Sequence, residues 1–218
     1  MRRCATAGSA WPAPGLLASP RTKGHRGPLS CGAAAGERDS PSMSQPPTPA
    51  VATRTLSEHD FAAPMDDRYF EDYTPGAVYE YGYVQVTEAE ILDFARAFDP
   101  QPMHVDPVFA AAGPFGGLIA SGWHTTGIFT RLLVAHYLSR VASLASPGID
   151  ELRWPAPLRP GDSVRLRATV LQVRPSRSKP DRGLVRTHGQ LISQNNEDVL
   201  RLDAMNIIGR RGALASRD

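Results

Sequence analysis

An aspartate and a histidine five positions apart are the residues in this chain best suited to proton-transfer chemistry. Asp99 and His104 are joined by Pro-Gln-Pro-Met, and the two prolines make this connection stiff. A carboxylate beside an imidazole can share a water molecule, remove its proton and return a proton elsewhere, and histidine titrates near neutral pH. The spacing is also compatible with a structural role, in which Asp99 ends a helix or lies in a turn and His104 is a hydrogen-bonded core residue.

A strand and a short helix precede this pair. Residues 77–86 alternate β-branched or aromatic residues with others and predict a strand. Thr87 and Glu90 form a capping box that begins a helix, and this helix continues to about Phe98. Its apolar face consists of Ile91, Phe94, Ala95 and Phe98. The prolines that follow must end the helix, because they remove hydrogen-bond donors and hold the preceding residues extended.

One long helix and several strands follow the pair. Apolar residues cover most of the circumference of residues 121–145, which predicts a long buried helix. The strands that follow are predicted at residues 149–154, 162–174, 184–194 and 199–208. One antiparallel sheet wrapped around one long central helix is the economical way to bury both, so we predict an α+β fold.

The residues around the pair resemble those of a known family. The stretch is Phe94-Ala-Arg-Ala-Phe-Asp-Pro-Gln-Pro-Met-His-Val-Asp-Pro107, followed by Gly116-Gly-Leu-Ile-Ala-Ser-Gly122. It resembles the signature of the MaoC-like dehydratases, which include the (R)-specific enoyl-CoA hydratases. The matching residues are Asp99, Pro102, His104, Asp106, Pro107 and Gly122. A later Pro-Leu-Arg-Pro-Gly-Asp, residues 157–162, is similar to the family's turn into its long strands, and the resemblance covers about residues 70–208.

The resemblance implies a hotdog fold, a homodimer or higher homo-oligomer, and an acyl-CoA substrate. It implies no metal and no other cofactor, since CoA is part of the substrate. In this family Asp99 and His104 would hold the water that is added to, or removed from, the 2,3 position of the acyl chain. The backbone N–H of Gly122, at the start of the long helix, would bind the thioester carbonyl.

Three positions depart from the family pattern. Gln101 stands where the family usually has Asn, and Ser121 precedes Gly122 where many members have His. Thr130 falls where some hydratases have a supporting Ser, and its hydroxyl could serve in the same way. Ser121 and Thr130 are therefore included with Gly122 as candidate substrate-positioning residues. These departures bear on substrate preference more than on reaction type.

The first 64 residues differ in composition from the rest. Residues 1–64 hold nine of the 20 prolines and both cysteines, and their apolar residues are mostly alanine. Such a segment buries too little apolar area to offset its chain entropy. We therefore predict a disordered, Pro-rich extension over residues 1–64 and one MaoC-like hotdog domain over residues 65–218.

Charge and hydropathy exclude several other classes of protein. The net charge of +2 divides into +3 on residues 1–64 and −1 on the remainder, which gives no reason to expect a nucleic-acid partner. The uncharged stretch 107–130 is too rich in Gly, Pro, Ser and Thr to span a membrane. A body without cysteine favours a reducing, cytoplasmic location.

The residues thus predict a lyase that reversibly hydrates a trans-2-enoyl-CoA to a 3-hydroxyacyl-CoA. The alternatives are a hotdog acyl-CoA thioesterase and a non-catalytic acyl-CoA-binding module. A basic loop with Arg174, Arg177, Lys179 and Arg182 could contact CoA phosphates, although such loops are more often simply solvated.

Overall fold

A computed structural model describes residues 54–212 of the chain. Its strands are β1 (Arg54–Thr55), β2 (Val78–Gln85), β3 (Ser143–Arg153), β4 (Ser163–Pro175), β5 (Arg182–Ser193) and β6 (Asp198–Gly209). Its α-helices are α1 (Glu88–Phe98), α2 (Pro102–Val105), α3 (Pro107–Ala112) and α4 (Gly122–Leu132). Two single 3₁₀ turns precede β2, at Met65–Asp67 and Phe70–Asp72, and a π-helical turn at Leu133–Tyr137 continues α4.

The strands form one antiparallel sheet in the order β1-β2-β4-β5-β6-β3. α4 packs against the inner face of this sheet, as the predicted α+β hotdog architecture requires. The helix comes close to the sheet at Gly189 of β5, where an added Cβ would lie 2.4 Å from the ring of Phe129. A glycine is needed at this position because the helix and the sheet leave no room for a side chain.

The core lies between the sheet and the helices. Its largest fully buried side chains are Tyr137, Ile91, Leu132, Leu158, Leu166, Leu191, Leu200, Leu202, Ile208, Val86, Val164 and Val170. Along β5 and β6 buried positions largely alternate with half-exposed ones, so each strand places one row of side chains in the core. This alternation, together with the turns, fixes the register of the sheet.

The helix that carries Asp99 begins and ends where the sequence predicted. Thr87 accepts the N–H of Glu90, and the Glu90 carboxylate accepts the N–H of Thr87, so both halves of the capping box are formed. Asp99 ends the helix, since its own N–H still bonds to the Ala95 carbonyl while its backbone leaves the helical region. Pro100 follows directly and prevents continuation.

The predicted length of the central helix was wrong. The sequence pattern extended it to residue 145, whereas helical structure stops at Tyr137 and β3 begins at Ser143. The buried guanidinium of Arg68 donates to the carbonyls of His136 and Tyr137, at 2.8 and 2.9 Å. The hydroxyl of Tyr73 also donates to the Tyr137 carbonyl. These donors satisfy the carbonyls at the helix end, and they come from more than 60 residues earlier in the chain.

The boundary of the N-terminal extension also needs correction. Residues 54–64 were assigned to the extension, yet β1 pairs with β2 and Phe61 packs against the core. The Phe61 ring stacks on Tyr79 with centroids 4.1 Å apart, and the guanidinium carbon of Arg68 lies 3.6 Å from the centre of the same ring. A single aromatic residue between polar residues and two alanines gives no periodic signal, which is why the pattern missed this segment. The prediction for residues 1–53 lies outside the described residues.

Candidate active site

Asp99 is held at the end of α1 with both carboxylate oxygens engaged. The hydroxyl of Ser121 donates to Oδ2 at 2.6 Å, and the side-chain amide of Gln101 donates to Oδ1 at 2.8 Å. These hydrogen bonds, Ser121 first, lower the pKa of Asp99 below its ordinary value of 3.8, the His104 imidazole adds to the effect, and partial burial opposes it. Asp99 is therefore ionised at neutral pH. Gln101 stands where the family usually has Asn, and it still provides an amide N–H that donates to this carboxylate.

The hydrogen bonding of His104 sets the direction in which its basic nitrogen points. Nδ1 of this buried imidazole lies 2.9 Å from the carbonyl oxygen of Ile119. A carbonyl can only accept, so Nδ1 carries the proton, and in the neutral ring Nε2 keeps its lone pair. Nε2 is the nitrogen that points toward Asp99.

The two candidate catalytic groups face each other without touching. Nε2 of His104 lies 3.7 Å from Oδ2 of Asp99, which is too long for a direct hydrogen bond. A separation of this size suits two groups that bind the same water molecule. The structure thus brings together the carboxylate and the imidazole that the sequence selected.

Gly122 supplies a backbone donor beside this pair. It is the first residue of α4, and its N–H makes no hydrogen bond within the described part of the chain. An N–H in the first turn of a helix lies at the positive end of the helix dipole and can bind a developing negative charge. An added Cβ on Gly122 would lie 2.7 Å from the indole ring of Trp154, so a side chain at this position would displace that ring.

His104 and Gly122 line one cavity of about 200 Å³. Its other walls are mostly apolar: Phe115, Ile119, Ala120, Thr125, Trp154, Pro155, Ala156, Pro157 and Leu158. The indole N–H of Trp154 donates to the hydroxyl of Thr126 at 3.3 Å, which fixes this wall against α4. A cavity with mostly apolar walls and a few polar groups suits an acyl chain that ends in a thioester.

The remaining predicted positions divide between the site and its surroundings. Ser121 is fully buried and belongs to the site, since its hydroxyl donates to Asp99 and accepts the N–H of Trp123 at the start of α4. Thr130 does not join it. Its hydroxyl bonds to the Thr126 carbonyl on the exposed side of α4, about 12 Å along the helix from Gly122.

Sequence reasoning missed the wall formed by Trp154 and Thr125. Both line the cavity with His104, but Trp154 follows it by 50 positions and reaches the site only because β3 ends beside α4. The one signal for Trp154 was a large aromatic residue before Pro155, at the end of a predicted strand. His124, on the first turn of α4, stacks on Phe94 with ring centroids 4.9 Å apart.

The sequence profile of the MaoC like domain matches residues 72–188. The chain belongs to the MaoC-like family. A MaoC-like dehydratase from Rhodospirillum rubrum is 41% identical, and its crystal structure superposes with a TM-score of 0.62, covering 66% of this chain and 98% of that one. The unliganded R-hydratase PhaJ1 from Pseudomonas aeruginosa, at 22% identity and a TM-score of 0.53, shares the fold over 65% of this chain and 85% of its own.

Two curated relatives are similar over shorter stretches. The 3-hydroxyacyl-thioester dehydratase Z of Mycobacterium tuberculosis is 40% identical over 93 residues, which are 42% of this chain and 62% of that protein. The 3-hydroxybutyryl-CoA dehydratase of Methylorubrum extorquens is 31% identical over 116 residues, covering 51% of this chain and 69% of that protein. The MaoC-like chain thus spans less than two thirds of the first of these relatives.

Two further observations concern metals and membranes. Residues 54–212 contain no group of three or more His, Cys, Asp or Glu side chains arranged to hold a metal ion. Within the same residues, no helix has both the length and the hydropathy needed to cross a bilayer.

Proposed function

We propose that this MaoC-like chain is a hydro-lyase that reversibly hydrates a trans-2-enoyl-CoA to a 3-hydroxyacyl-CoA. The observation that carries the proposal is the Asp99–His104 pair, whose histidine lines a cavity that is also lined by Gly122. Relatives named for the dehydration of 3-hydroxyacyl thioesters and of 3-hydroxybutyryl-CoA support it.

The proposed reaction follows from the hydrogen bonding of the pair. A water molecule bound by Asp99 and His104 loses a proton to Nε2 of His104 while its oxygen forms a bond to C3 of the acyl chain. The C2–C3 double bond opens, and negative charge develops on the thioester oxygen beside the Gly122 N–H. The proton is then delivered from the pair to C2, so that H and OH have been added across the bond.

The proposed reaction is complete with the chain's own residues. Hydration neither oxidises nor reduces the acyl chain, and the Asp99–His104 pair supplies both proton transfers. We therefore propose that no cofactor takes part apart from the CoA of the substrate. The expected cytoplasmic location stays a prediction.

We further propose that two copies form a homodimer through β3 and the exposed side of α4. β3 is an edge strand of the sheet, and Ile149 on it is 47% exposed. Trp123 of α4, Val134 of the π-helical turn that follows it and the neighbouring Trp154 are also exposed. A monomer seldom leaves so many large apolar side chains in water, and a two-fold pairing would cover them on both copies.

Replacement of Asp99 tests the proposed reaction. Asp99→Asn keeps the shape of the side chain but removes its charge, so hydration of crotonyl-CoA should fall by about 100-fold or more. Asp93→Asn makes the same change at an exposed position of α1 and should retain full activity. Thermal unfolding of both variants verifies that the fold is intact. Wild-type rates in Asp99→Asn would overturn the proposal.

Product analysis of the wild-type chain separates the alternatives. A hydratase converts crotonyl-CoA to 3-hydroxybutyryl-CoA and leaves the thioester intact. A thioesterase releases free CoA from saturated butyryl-CoA, which a thiol reagent detects. A binding module would retain either thioester without turnover.

A further inference from the structure

A second apolar cavity lies next to the cavity that His104 and Gly122 line, and the proposed reaction makes no use of it. Its volume is about 230 Å³, and it is bordered by α2, by α3 and by the loop that follows α3. Its wall is apolar apart from Gln101, and it includes Met103 and Phe109. We call it the α3 cavity, and we call the cavity with His104 and Gly122 the catalytic cavity.

Both cavities reach the candidate catalytic pair. His104 lines the catalytic cavity. Gln101 lines the α3 cavity, and its side-chain amide donates to Oδ1 of Asp99 at 2.8 Å. In the proposed reaction C3 of the acyl chain is bonded at this pair, so the carbons that follow C3 begin close to both cavities.

Phe115 is the residue that the two cavities share among those that the structure describes. A side chain in the wall of both cavities separates one from the other. The catalytic cavity alone, at about 200 Å³, is smaller than the range of about 300–1,000 Å³ that is usual for small-molecule sites. The two cavities joined would fall within that range. The ring of Phe115 therefore limits the apolar volume that an acyl chain can occupy.

The backbone at Phe115 is held firmly, but its ring is not part of the core. Its carbonyl accepts a hydrogen bond of 2.6 Å from Nη2 of Arg159, and the N–H of Gly116 closes a turn onto the carbonyl of Gly113 at 3.1 Å. Gly116 has a φ of 64°, a backbone conformation that favours glycine. The Phe115 ring is 42% exposed and lies outside the core cluster. Shortening this side chain therefore leaves the loop and the core supported.

We infer that Phe115 determines the acyl-chain length that this chain accepts. With the ring in place, the catalytic cavity takes a short enoyl group such as crotonyl and excludes a longer one such as trans-2-octenoyl. Without the ring, the end of the longer chain enters the α3 cavity, where apolar walls replace water around it. The inference rests on the proposed function and adds the substrate class to it.

The chain-length preference of Phe115→Ala tests this inference. The wild type should favour crotonyl-CoA over trans-2-octenoyl-CoA by about 100-fold or more in kcat/KM, since even one excess methylene can cost about 10–200-fold. Phe115→Ala should raise kcat/KM for trans-2-octenoyl-CoA by about tenfold or more and change that for crotonyl-CoA by less than about threefold. An unchanged preference would overturn the inference, and so would a wild type that hydrates both thioesters equally well.

Phe109→Ala is the matched control. Phe109 lines the α3 cavity but not the catalytic cavity, so this variant should keep the wild-type preference because Phe115 still separates the two. Phe115→Leu removes less of the ring volume and should give a smaller gain for trans-2-octenoyl-CoA than Phe115→Ala. Thermal midpoints of the three variants within about 4 °C of the wild type would verify that the fold is intact.

Filling the α3 cavity provides a reciprocal test. Met103 is half-buried in the wall of this cavity, so Met103→Trp places a larger side chain there. Combined with Phe115→Ala, it should remove the gain for trans-2-octenoyl-CoA. A gain that persists in the double variant would show that the longer chain lies elsewhere, which would contradict the inference.

Binding of saturated thioesters separates this inference from the proposed reaction, because these thioesters cannot be hydrated. In a calorimetric titration of the full-length protein, Phe115→Ala should tighten binding of octanoyl-CoA by about tenfold and leave butyryl-CoA unchanged. If this shift occurs but the wild type hydrates no enoyl-CoA, the proposed function fails while the role of Phe115 in chain length stands. If hydration occurs but neither binding nor kcat/KM depends on Phe115, the inference is wrong and the proposed function stands.

Discussion

Asp99 accepts hydrogen bonds on both of its carboxylate oxygens, and this explains how a partly buried carboxylate stays charged. Ser121 makes the shorter of these bonds and simultaneously caps α4. The Ser121 hydroxyl therefore connects the Asp99–His104 pair to α4, the helix that carries the proposed oxyanion donor. We propose that Ser121 positions Asp99 and does not itself contact the reacting atoms.

Ser121→Ala should affect both the pH profile and stability. Without its largest pKa-lowering hydrogen bond, the pKa of Asp99 should rise toward 3.8, so the acidic limb of kcat should move to higher pH. Loss of the cap and of a charged hydrogen bond should cost about 1–3 kcal/mol of unfolding free energy at pH 7. Because a lowered folded-state pKa stabilises only while the carboxylate is ionised, this deficit should narrow as the pH falls below about 4.

The control for this prediction is Ser57→Ala. Ser57 also accepts a backbone N–H and donates to a carbonyl, but it lies near β1 and bonds to no carboxylate. Its replacement should leave the pH profile unchanged. Identical acidic limbs in Ser121→Ala and the wild type would show that Asp99 is not the group that titrates.

At the scale of elements, the N-terminal segment and the end of the central helix depend on each other. Phe61 packs on Tyr79 and touches Tyr137 edge-on, while Arg68 lies over Phe61 and donates to the last helical carbonyls. Residues 54–64 are therefore part of the structure that ends the helix. Removal of all 64 residues would remove these contacts.

Phe61→Ala in the full-length chain should lower the unfolding free energy by about 2–4 kcal/mol, since a large aromatic side chain leaves a packed cluster. Phe98→Ala makes the same substitution at a position that is 75% exposed and should cost less than about 1 kcal/mol. Urea denaturation of both variants measures the difference. Equal stabilities would mean that Phe61 does not stabilise the domain.

At the scale of the whole molecule, the distribution of exposed apolar side chains favours association. Several lie on α4, on β3 and on the segments around the candidate active site. In the proposed homodimer, the pairing of two copies covers these side chains on both chains.

Ile149→Asp should convert the proposed dimer to a monomer, because it places a charge on the β3 edge. Leu171→Asp is a matched control, since Leu171 is 46% exposed but lies on β4, away from that edge. Sedimentation equilibrium should give twice the mass of one chain for the wild type and for Leu171→Asp, and the mass of one chain for Ile149→Asp. A monomeric wild type would contradict the proposed association.

Features that depend on neighbouring residues could be predicted from the sequence. The capping box of Thr87 and Glu90 fixed the start of α1, and the prolines fixed its end at Asp99. The short, stiff connection to His104 then kept the two candidate catalytic groups together. The family resemblance then predicted the hotdog fold and the role of the Gly122 N–H as a donor to the thioester carbonyl. Hydrogen bonds between residues close in the chain and restricted backbone angles depend on local residue types, so the sequence predicts them.

Features that join distant segments could be seen only in the folded chain. The end of the central helix depends on Arg68 and Tyr73, the charge of Asp99 on Ser121, and the wall beside Gly122 on Trp154. The same holds for Thr130, whose spacing suggested the site but whose position on the helix faces away from it. The separations between these partners range from 22 to 69 residues. Contacts of that kind have no periodicity, because they depend on how the sheet folds over the helix rather than on the order of residues along the chain.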